Sequence, residues 1–196
     1  MSYTLAQLKT AIQDYTENTE TSFVTNLPTF IKNAEQRIFK LVDLEFFRKN
    51  ATSALTSSDP FLSVPPDYLA SFSLSITNSS SKEFLLQKDV NFIQEYTPNP
   101  ATTGVPKYYA YFDVSNFIVA PTPDSNYTCE LHYYYRPASL TAGADSGTTW
   151  LSTNASVALL YGSLVEAYTF MKGEQDMLSM YEKQFTEALS RIKDLA

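Results

Sequence analysis

The sequence predicts an α+β protein: a helical bundle built from N- and C-terminal helical hairpins, with an inserted antiparallel β-sandwich or small barrel. Apolar residues recur every three or four positions at both ends of the 196-residue chain. In the middle they alternate with polar residues, and most of the ten prolines separate these alternating runs. We therefore predict a helical bundle from residues 1–45 and 151–196, and a β domain from residues 46–150.

The first 45 residues are expected to form two helices. Thr4 is a good N-cap residue for the first helix, which carries Leu5, Leu8 and Ile12 at helical spacing. The polar run 17–25 predicts a loop. The second helix is expected to begin near Asn26, with Pro28 tolerated in its first turn.

Two runs in the middle of the chain alternate clearly, at residues 68–77 and 127–136. In the first run, Phe72 is expected on the same face as Leu74. Several short strands separated by regularly spaced turns favour a β-sandwich or small barrel. The shorter runs that predict further strands are residues 61–64, 107–112 and 116–120.

Helical spacing returns after Trp150. Asn154 can cap a helix whose apolar positions extend to Met171, and a second apolar stripe runs from Met177 to Leu195. An amphipathic hairpin cannot bury its apolar face alone. The N- and C-terminal pairs are therefore expected to pack together as one bundle.

The composition argues against most kinds of catalysis and against a cofactor. One His and one Cys allow neither an internal disulfide nor a Cys/His zinc site, and the five glycines form no phosphate-binding motif. The net charge of −7 disfavours tight binding of nucleic acid. The chain shows no secretory signal and no membrane-spanning apolar run, so we expect a soluble protein that is intracellular where it is made, without a membrane partner.

A few residues could carry chemistry. His132 and Glu130 lie on one face of a predicted strand and could form a base with its orienting carboxylate. Asp113, Asp124 and Glu130 could supply the paired carboxylates of a glycosidase. Turn and surface roles explain these residues more simply, and Cys129 is expected to be a buried, inert thiol. No catalytic residue and no metal ligand is predicted.

Aromatic residues are the unusual feature of the composition, with 14 Tyr and 13 Phe. Exposed aromatic side chains on a sheet either anchor a protein interface or stack on sugars. Packing in the core explains part of the cluster equally well. The residues that we expect at an interface between subunits or with a partner are Tyr108, Tyr109, Tyr111, Tyr134 and Arg136.

The order of several short motifs along the chain is similar to that in the head–tail adaptor (connector) proteins of short-tailed bacteriophages, related to the tail tubular protein A group. The similarity extends from about Leu27 to Ile192. The motifs that carry it are Leu27-Pro28-Thr29-Phe30-Ile31, Ala34-Glu35-Gln36-Arg37-Ile38, Val64-Pro65-Pro66-Asp67-Tyr68, Gly104-Val105-Pro106-Lys107-Tyr108-Tyr109, Ala120-Pro121-Thr122-Pro123-Asp124, Tyr133-Tyr134-Tyr135-Arg136-Pro137, Thr149-Trp150-Leu151, Leu159-Leu160-Tyr161-Gly162 and Glu166-Ala167-Tyr168.

This resemblance implies a structural virion protein that is made in the host cytoplasm and lies at the portal vertex, between capsid and tail. Such adaptors form a ring, typically of twelve copies, that binds the portal protein and the tail nozzle protein. The ring continues the DNA channel and helps to retain the genome. The family has no catalytic residues that could be transferred to this chain.

A channel through which DNA slides without specific binding is expected to have acidic walls. Residues 51–150 carry nine acidic and four basic side chains. Asp113, Asp124 and Glu130 are therefore candidates for lining the channel. The alternative function is a carbohydrate-binding β module of a tail attachment device, and a glycosidase-like enzyme is a third possibility.

Overall fold

The computed structural model describes residues 2–42 and 47–193. The chain divides into two compact units, one formed by Met1–Phe46 with Ala138–Ala196 and the other by Phe47–Pro137. We call them the helical unit and the β unit. All described strands lie in the β unit, so the predicted α+β class is confirmed.

The described residues form six α-helices and nine strands. The helices are α1 (Leu5–Thr16), α2 (Thr21–Leu41), α3 (Val90–Tyr96), α4 (Trp150–Asn154), α5 (Ser156–Met171) and α6 (Gln175–Lys193). The strands are β1 (Arg48–Leu55), β2 (Phe61–Ser63), β3 (Tyr68–Asn78), β4 (Ser81–Gln87), β5 (Thr103–Gly104), β6 (Tyr108–Tyr111), β7 (Asn116–Ala120), β8 (Thr122–Pro123) and β9 (Tyr127–Tyr135). A 3-10 turn, Leu140–Ala142, follows the β unit.

Helix α1 begins at the cap that the sequence predicts. The backbone N–H of Gln7 donates to Thr4 Oγ1 (3.2 Å), and the backbone N–H of Thr4 donates to Gln7 Oε1 (3.0 Å). This reciprocal capping box satisfies two donors that the first helical turn leaves unpaired. The backbone N–H of Ala6 also donates to the carbonyl of Asp145 (2.9 Å), which ties the helix to the segment before α4.

Helix α2 begins at Thr21, so the expected start near Asn26 is wrong. The cause is Phe23, which is fully buried and packs against the rings of Phe30 (5.6 Å between centroids) and Phe170 (6.4 Å). This tertiary packing extends the helix into a polar stretch of sequence. Pro28 therefore lies inside the helix rather than in its first turn.

Helix α5 is the centre of the helical unit, because it packs against α1, α2 and α6. The expected cap at Asn154 is wrong, since Thr149 caps the short helix α4 and α5 begins two residues after Asn154. The arrangement of the helices as two paired hairpins remains a prediction. Within the described ranges, no helix combines the length and the apolar character that crossing a membrane requires.

The β unit is a seven-stranded sheet in the order β1-β9-β3-β4-β6-β7-β2, and its edge strands β1 and β2 approach each other. The result is a nearly closed barrel. The expectation of a purely antiparallel sheet is wrong, because β4 and β6 pair in parallel. Parallel neighbours need a connection that returns along the length of the strands, and the segment between β4 and β6, which contains α3, provides it. The short strands β5 and β8 form a second parallel pair.

The barrel core takes every second residue of β9, so that Cys129 is buried as predicted. Burial raises the pKa of this thiol to about 11, which keeps it protonated and unreactive. The alternation in β3 is less regular than predicted. Two irregularities in its pairing with β9, between Tyr68 and Ala70 and between Ser71 and Ser73, place Phe72 on the face opposite to Leu74.

Helix α3 covers the outer face of the barrel at β6 and β7. Ile93 of α3 packs against Ala110 and Ala120, and all three are buried. The rings of Phe92 and Tyr96 meet the ring of Tyr108 edge to face, at 5.0 and 4.9 Å between centroids. This part of the outer face is therefore covered within the β unit itself.

Candidate docking surface

The outer face of β3 and β4 carries three large apolar side chains that are mostly exposed. Phe72 is 57%, Phe84 66% and Leu86 61% exposed, whereas Leu85 between the last two lies in the barrel core. We call Phe72, Phe84 and Leu86 the β3–β4 patch. Exposed apolar side chains grouped on one face are a common feature of interaction sites in soluble proteins.

Neighbouring side chains hold Phe72 in position. The guanidinium of Arg48 lies 5.0 Å from the ring centroid of Phe72 and 5.1 Å from that of Tyr134, and its Nη2 donates to Tyr134 Oη (3.0 Å). The ring of His132 meets Phe72 edge to face at 5.2 Å. Because these contacts restrict Phe72 before any partner arrives, less conformational entropy is lost on binding.

Basic side chains flank the patch. Lys82 precedes Phe84 by two positions on β4, and Lys88 follows Leu86 by two. Lys82 Nζ donates to Glu130, which also accepts from Asn50. The hydrogen bond from Lys82 is the main cause that lowers the pKa of Glu130, and the bond from Asn50 adds to it. Glu130 is therefore a charged but paired carboxylate.

The interface residues predicted from the sequence do not form one cluster. Tyr134 lies on the outer face beside the patch, Tyr108 lies beneath α3, and Arg136 is exposed after β9. Tyr111 is 42% exposed and stacks on Tyr68. Of these four residues, Tyr134 has the position that best suits a role in docking.

The fifth residue, Tyr109, is 2% exposed and belongs to the barrel core. Its hydroxyl donates to Gln87 Oε1 (3.4 Å), and burial raises its pKa. Adjacent residues of a strand face opposite sides of the sheet, so Tyr109 points inward while Tyr108 points outward. We therefore leave Tyr109 out of the proposed docking surface.

The three candidate channel acids have different surroundings. Asp113 lies in the turn between β6 and β7 and accepts from the backbone N–H groups of Ser115 (2.7 Å) and Asn116 (2.8 Å). These bonds lower the pKa of Asp113, and the bond from Ser115 has the largest effect. Asp124 accepts from the hydroxyl of Tyr127 (2.5 Å). Asp113 and Asp124 thus stabilise turns with neutral donors, whereas Glu130 pairs with Lys82.

The excess of acidic side chains in the predicted range 51–150 is smaller in the β unit as the structure defines it. The β unit carries six basic and eight acidic side chains, and the helical unit carries eight and thirteen. Arg48 and Lys49 lie on β1 and therefore count towards the β unit, whereas Asp145 belongs to the helical unit. The β unit is thus nearly neutral, and most of the acidity lies in the helical unit.

The helical unit has an open groove of about 720 Å³ between α5 and α6. Val165 and Leu178 contribute apolar surface, and Glu182, Lys183 and Glu187 contribute charge. We call this the α5–α6 groove. Among the described residues, no group of three or more His, Cys, Asp or Glu side chains is arranged to hold a metal ion.

Sequence reasoning missed Asp67, which fastens the start of β3 to two other strands. Its Oδ1 accepts from Tyr133 Oη (2.8 Å) and its Oδ2 from Lys49 Nζ (2.6 Å). Its carbonyl accepts from the backbone N–H of Arg136 (2.7 Å). The motif Val64-Pro65-Pro66-Asp67-Tyr68 offered the only signal: an acidic residue held directly after two prolines.

We expect Asp67→Asn to lower the free energy of unfolding by about 1–2 kcal/mol at pH 7, because it weakens two charge-assisted hydrogen bonds. Partial burial opposes ionisation, but the bonds from Lys49 and Tyr133 outweigh it and lower the pKa of Asp67. This contribution is present above the unfolded-state pKa and is lost as pH falls through the folded-state pKa.

Urea unfolding between pH 3 and 7 tests this prediction, and the difference between wild type and Asp67→Asn is expected to shrink towards acid. Glu95→Gln, which neutralises an exposed carboxylate on α3, serves as the matched control. A pH-independent difference would contradict the assignment.

An exposed apolar patch on the outer face of a sheet is typical of proteins that dock onto other proteins. Comparison with known proteins agrees with that class: the chain belongs to the SU10 adaptor protein family, which it matches over residues 3–196. Among curated proteins, none matches the chain. The resemblance to phage head-to-tail adaptors is thereby confirmed. Membership of this family implies a structural component of the virion at the head–tail junction, in contact with other head and tail proteins.

Proposed function

We propose that this chain assembles as a ring, of about twelve copies as in the adaptors that it resembles, between the portal protein and the tail nozzle protein. In this position the ring continues the DNA channel and helps to retain the packaged genome. Family membership supports the adaptor role, and the β3–β4 patch is the observation that carries the assembly. Three exposed apolar side chains on one face of a sheet suit a contact with another protein surface.

The proposed channel repels DNA rather than binding it. Asp113 and Asp124 are both exposed and accept hydrogen bonds from neutral groups, which do not offset the charge of a carboxylate as a basic side chain would. Glu130 contributes less, because Lys82 neutralises it. Acidic walls of this kind let phosphates slide past without retention.

Mixing the purified chain with a portal ring and imaging the product by electron microscopy tests the proposal. We expect an added ring below the portal, with Asp113 and Asp124 facing its lumen. A portal without bound adaptor would contradict the adaptor role, and a positively charged lumen would contradict the channel assignment. Binding of glycans without binding of the portal would favour the carbohydrate-binding module instead.

The double variant Phe84→Ser/Leu86→Ser is expected to weaken ring assembly at least tenfold, because it removes the two most exposed side chains of the patch. Both side chains face solvent, so the free chain is expected to keep its thermal stability. Native mass spectrometry measures assembly, and circular dichroism measures folding. The matched control is Val114→Ser at the tip of the β6–β7 turn, where the side chain is 85% exposed. Equal assembly by all three proteins would reject the patch as an interface.

A further inference from the structure

Strand β1 has an open edge. Among the described strands, only β9 is hydrogen-bonded to it, since β2 approaches β1 without pairing. The backbone N–H of Tyr135 donates to the carbonyl of Phe47, so the odd-numbered residues of β1 bond to β9. The backbone groups of the even-numbered, exposed residues Asn50, Thr52 and Ala54 therefore point away from β9. Such an edge is a template on which another strand can pair.

Strand β4 has a second open edge. Its last two residues pair with β6, and the backbone N–H of Leu86 donates to the carbonyl of Lys107 on that side. Because direction alternates along a strand, the backbone groups of Lys82 and Phe84 point to the same side as those of Leu86. Strand β6 does not extend to them, and no other described strand pairs with them there. The first half of β4 is thus open on the side opposite to β3.

The two open edges match each other in position and direction. Through β9 and β3, Thr52 lies in the same cross-strand row as Phe84, and Ala54 lies in the same row as Lys82. Three successive antiparallel pairings separate β1 from β4, so these two strands run in opposite directions. A second copy, turned about an axis along the strands, therefore brings its β1 antiparallel to β4 with the open segments in register.

We propose that the open edge of β4 pairs with the open edge of β1 of the next copy, an inference that rests on the proposed ring. Without a shift of the rows, Phe84 lies opposite Thr52 and Lys82 opposite Ala54. All four residues point their backbone groups across the seam, so each opposed pair exchanges two hydrogen bonds. Strand addition to an exposed sheet edge is a common mode of protein recognition.

This contact is heterologous, and each copy uses both of its open edges once. A heterologous contact is the type that closes into a ring when its rotation divides a full turn. A self-matching contact of β4 with β4 would instead leave the β1 edges open and stop at a dimer.

Proline substitutions at the two edges test the pairing. Thr52→Pro and Lys82→Pro each remove an N–H that points across the seam and leave the bonds to β9 and β3 in place, and proline is tolerated at such edge positions. Thr52→Ala and Lys82→Ala are the matched controls, because they change the same side chains and keep the N–H. We expect each proline variant to form rings on a portal about tenfold less well than its alanine control, measured by native mass spectrometry, with circular dichroism to check folding. Equal assembly by proline and alanine variants would overturn the pairing.

Cysteine cross-linking gives a test that does not depend on the proline variants. Ala54→Cys and Lys82→Cys chains are mixed on a portal ring, treated with a short bismaleimide and analysed on a denaturing gel. The native Cys129 is 1% exposed with a pKa of about 11, so it adds little background. In the control mixture, Val114→Cys replaces Lys82→Cys.

We expect a covalent dimer from the mixture of Ala54→Cys and Lys82→Cys, about fivefold stronger than from either variant alone or from the control mixture. A dimer from Lys82→Cys alone would overturn the proposal, since it indicates a self-matching contact. Rings that assemble without the mixed dimer would overturn the strand pairing but leave the adaptor function intact. Failure of the wild-type chain to form any ring on the portal would refute the proposed function itself.

Discussion

Gly162→Leu is expected to lower the free energy of unfolding of the helical unit by about 3 kcal/mol, the largest effect among our predictions. Gly162 lies where α5 packs against α2 and α6. A Cβ at this position would be 2.9 Å from Cε2 of Phe185 and 3.1 Å from Cβ of Ala34. Phe185 and Ala34 are themselves fully buried, so neither can move aside without disturbing the packing around it.

Denaturant unfolding monitored by circular dichroism at 222 nm measures this effect. Gly143→Leu is the matched control, since a Cβ there meets only the carbonyl oxygen of Leu140, at 3.8 Å. We expect the control to stay within about 0.5 kcal/mol of wild type. An equal effect of both substitutions would show that close helix packing at Gly162 is not the cause.

Glu35→Gln is expected to stabilise the helical unit by about 1–2 kcal/mol at pH 7. Glu35 is 3% exposed, and its Oε1 accepts from the backbone N–H of Leu140 (2.9 Å). Its Oε2 is buried and has no hydrogen-bond partner among the described residues. Glutamine keeps the acceptor for Leu140 and removes the charge whose burial is unfavourable.

The pH dependence gives a second test of Glu35. Burial is the largest effect on its pKa and raises it, while the hydrogen bond from the backbone N–H of Leu140 partly offsets the rise. A carboxyl with a raised folded-state pKa contributes stability that is fully present below its unfolded-state pKa and is lost as pH rises through the folded-state value. Glu35→Gln is therefore expected to gain most over wild type at neutral pH and to lose that advantage at acid pH. Glu187→Gln on the exposed face of α6 serves as the control, and a gain that does not change with pH would contradict this account.

The sequence could predict those elements whose stabilising contacts lie between residues close together in the chain. Helix α1 begins at Thr4 because Thr4 and Gln7 cap each other, and both lie within one turn. The start of α2 depends on Phe23, whose packing partner Phe170 is distant in the sequence. No pattern within residues 17–25 reveals that contact.

Two long strands escaped prediction for physical reasons. Strand β1 is polar and mostly exposed, and it is held in place by antiparallel pairing with β9 along its whole length. Strand β4 carries its exposed Phe84 and Leu86 on both sides of the buried Leu85, which removes the polar–apolar alternation. The property that makes β4 a candidate docking strand therefore also hides it from the pattern.

The candidate site was predictable only in part. The aromatic excess indicated a surface for docking, and Tyr134 lies on the outer face. The sequence cannot show that Tyr109 faces the core and Tyr134 the outer face, because both belong to similar Tyr-rich runs. The pairing of the strands is needed to distinguish them. The position of Phe72 depends on irregularities in β3 that leave no mark in the sequence.

The two ends of the β unit lie on adjacent strands. Arg48, at the start of β1, pairs with Tyr134 near the end of β9, and the backbone N–H of Tyr135 donates to the carbonyl of Phe47 (3.0 Å). Paired strands place such ends about 5 Å apart, the separation at which whole domains are readily inserted into a chain. The β unit therefore begins and ends at neighbouring positions, which is the arrangement that allows a domain to be inserted into a chain as a single segment.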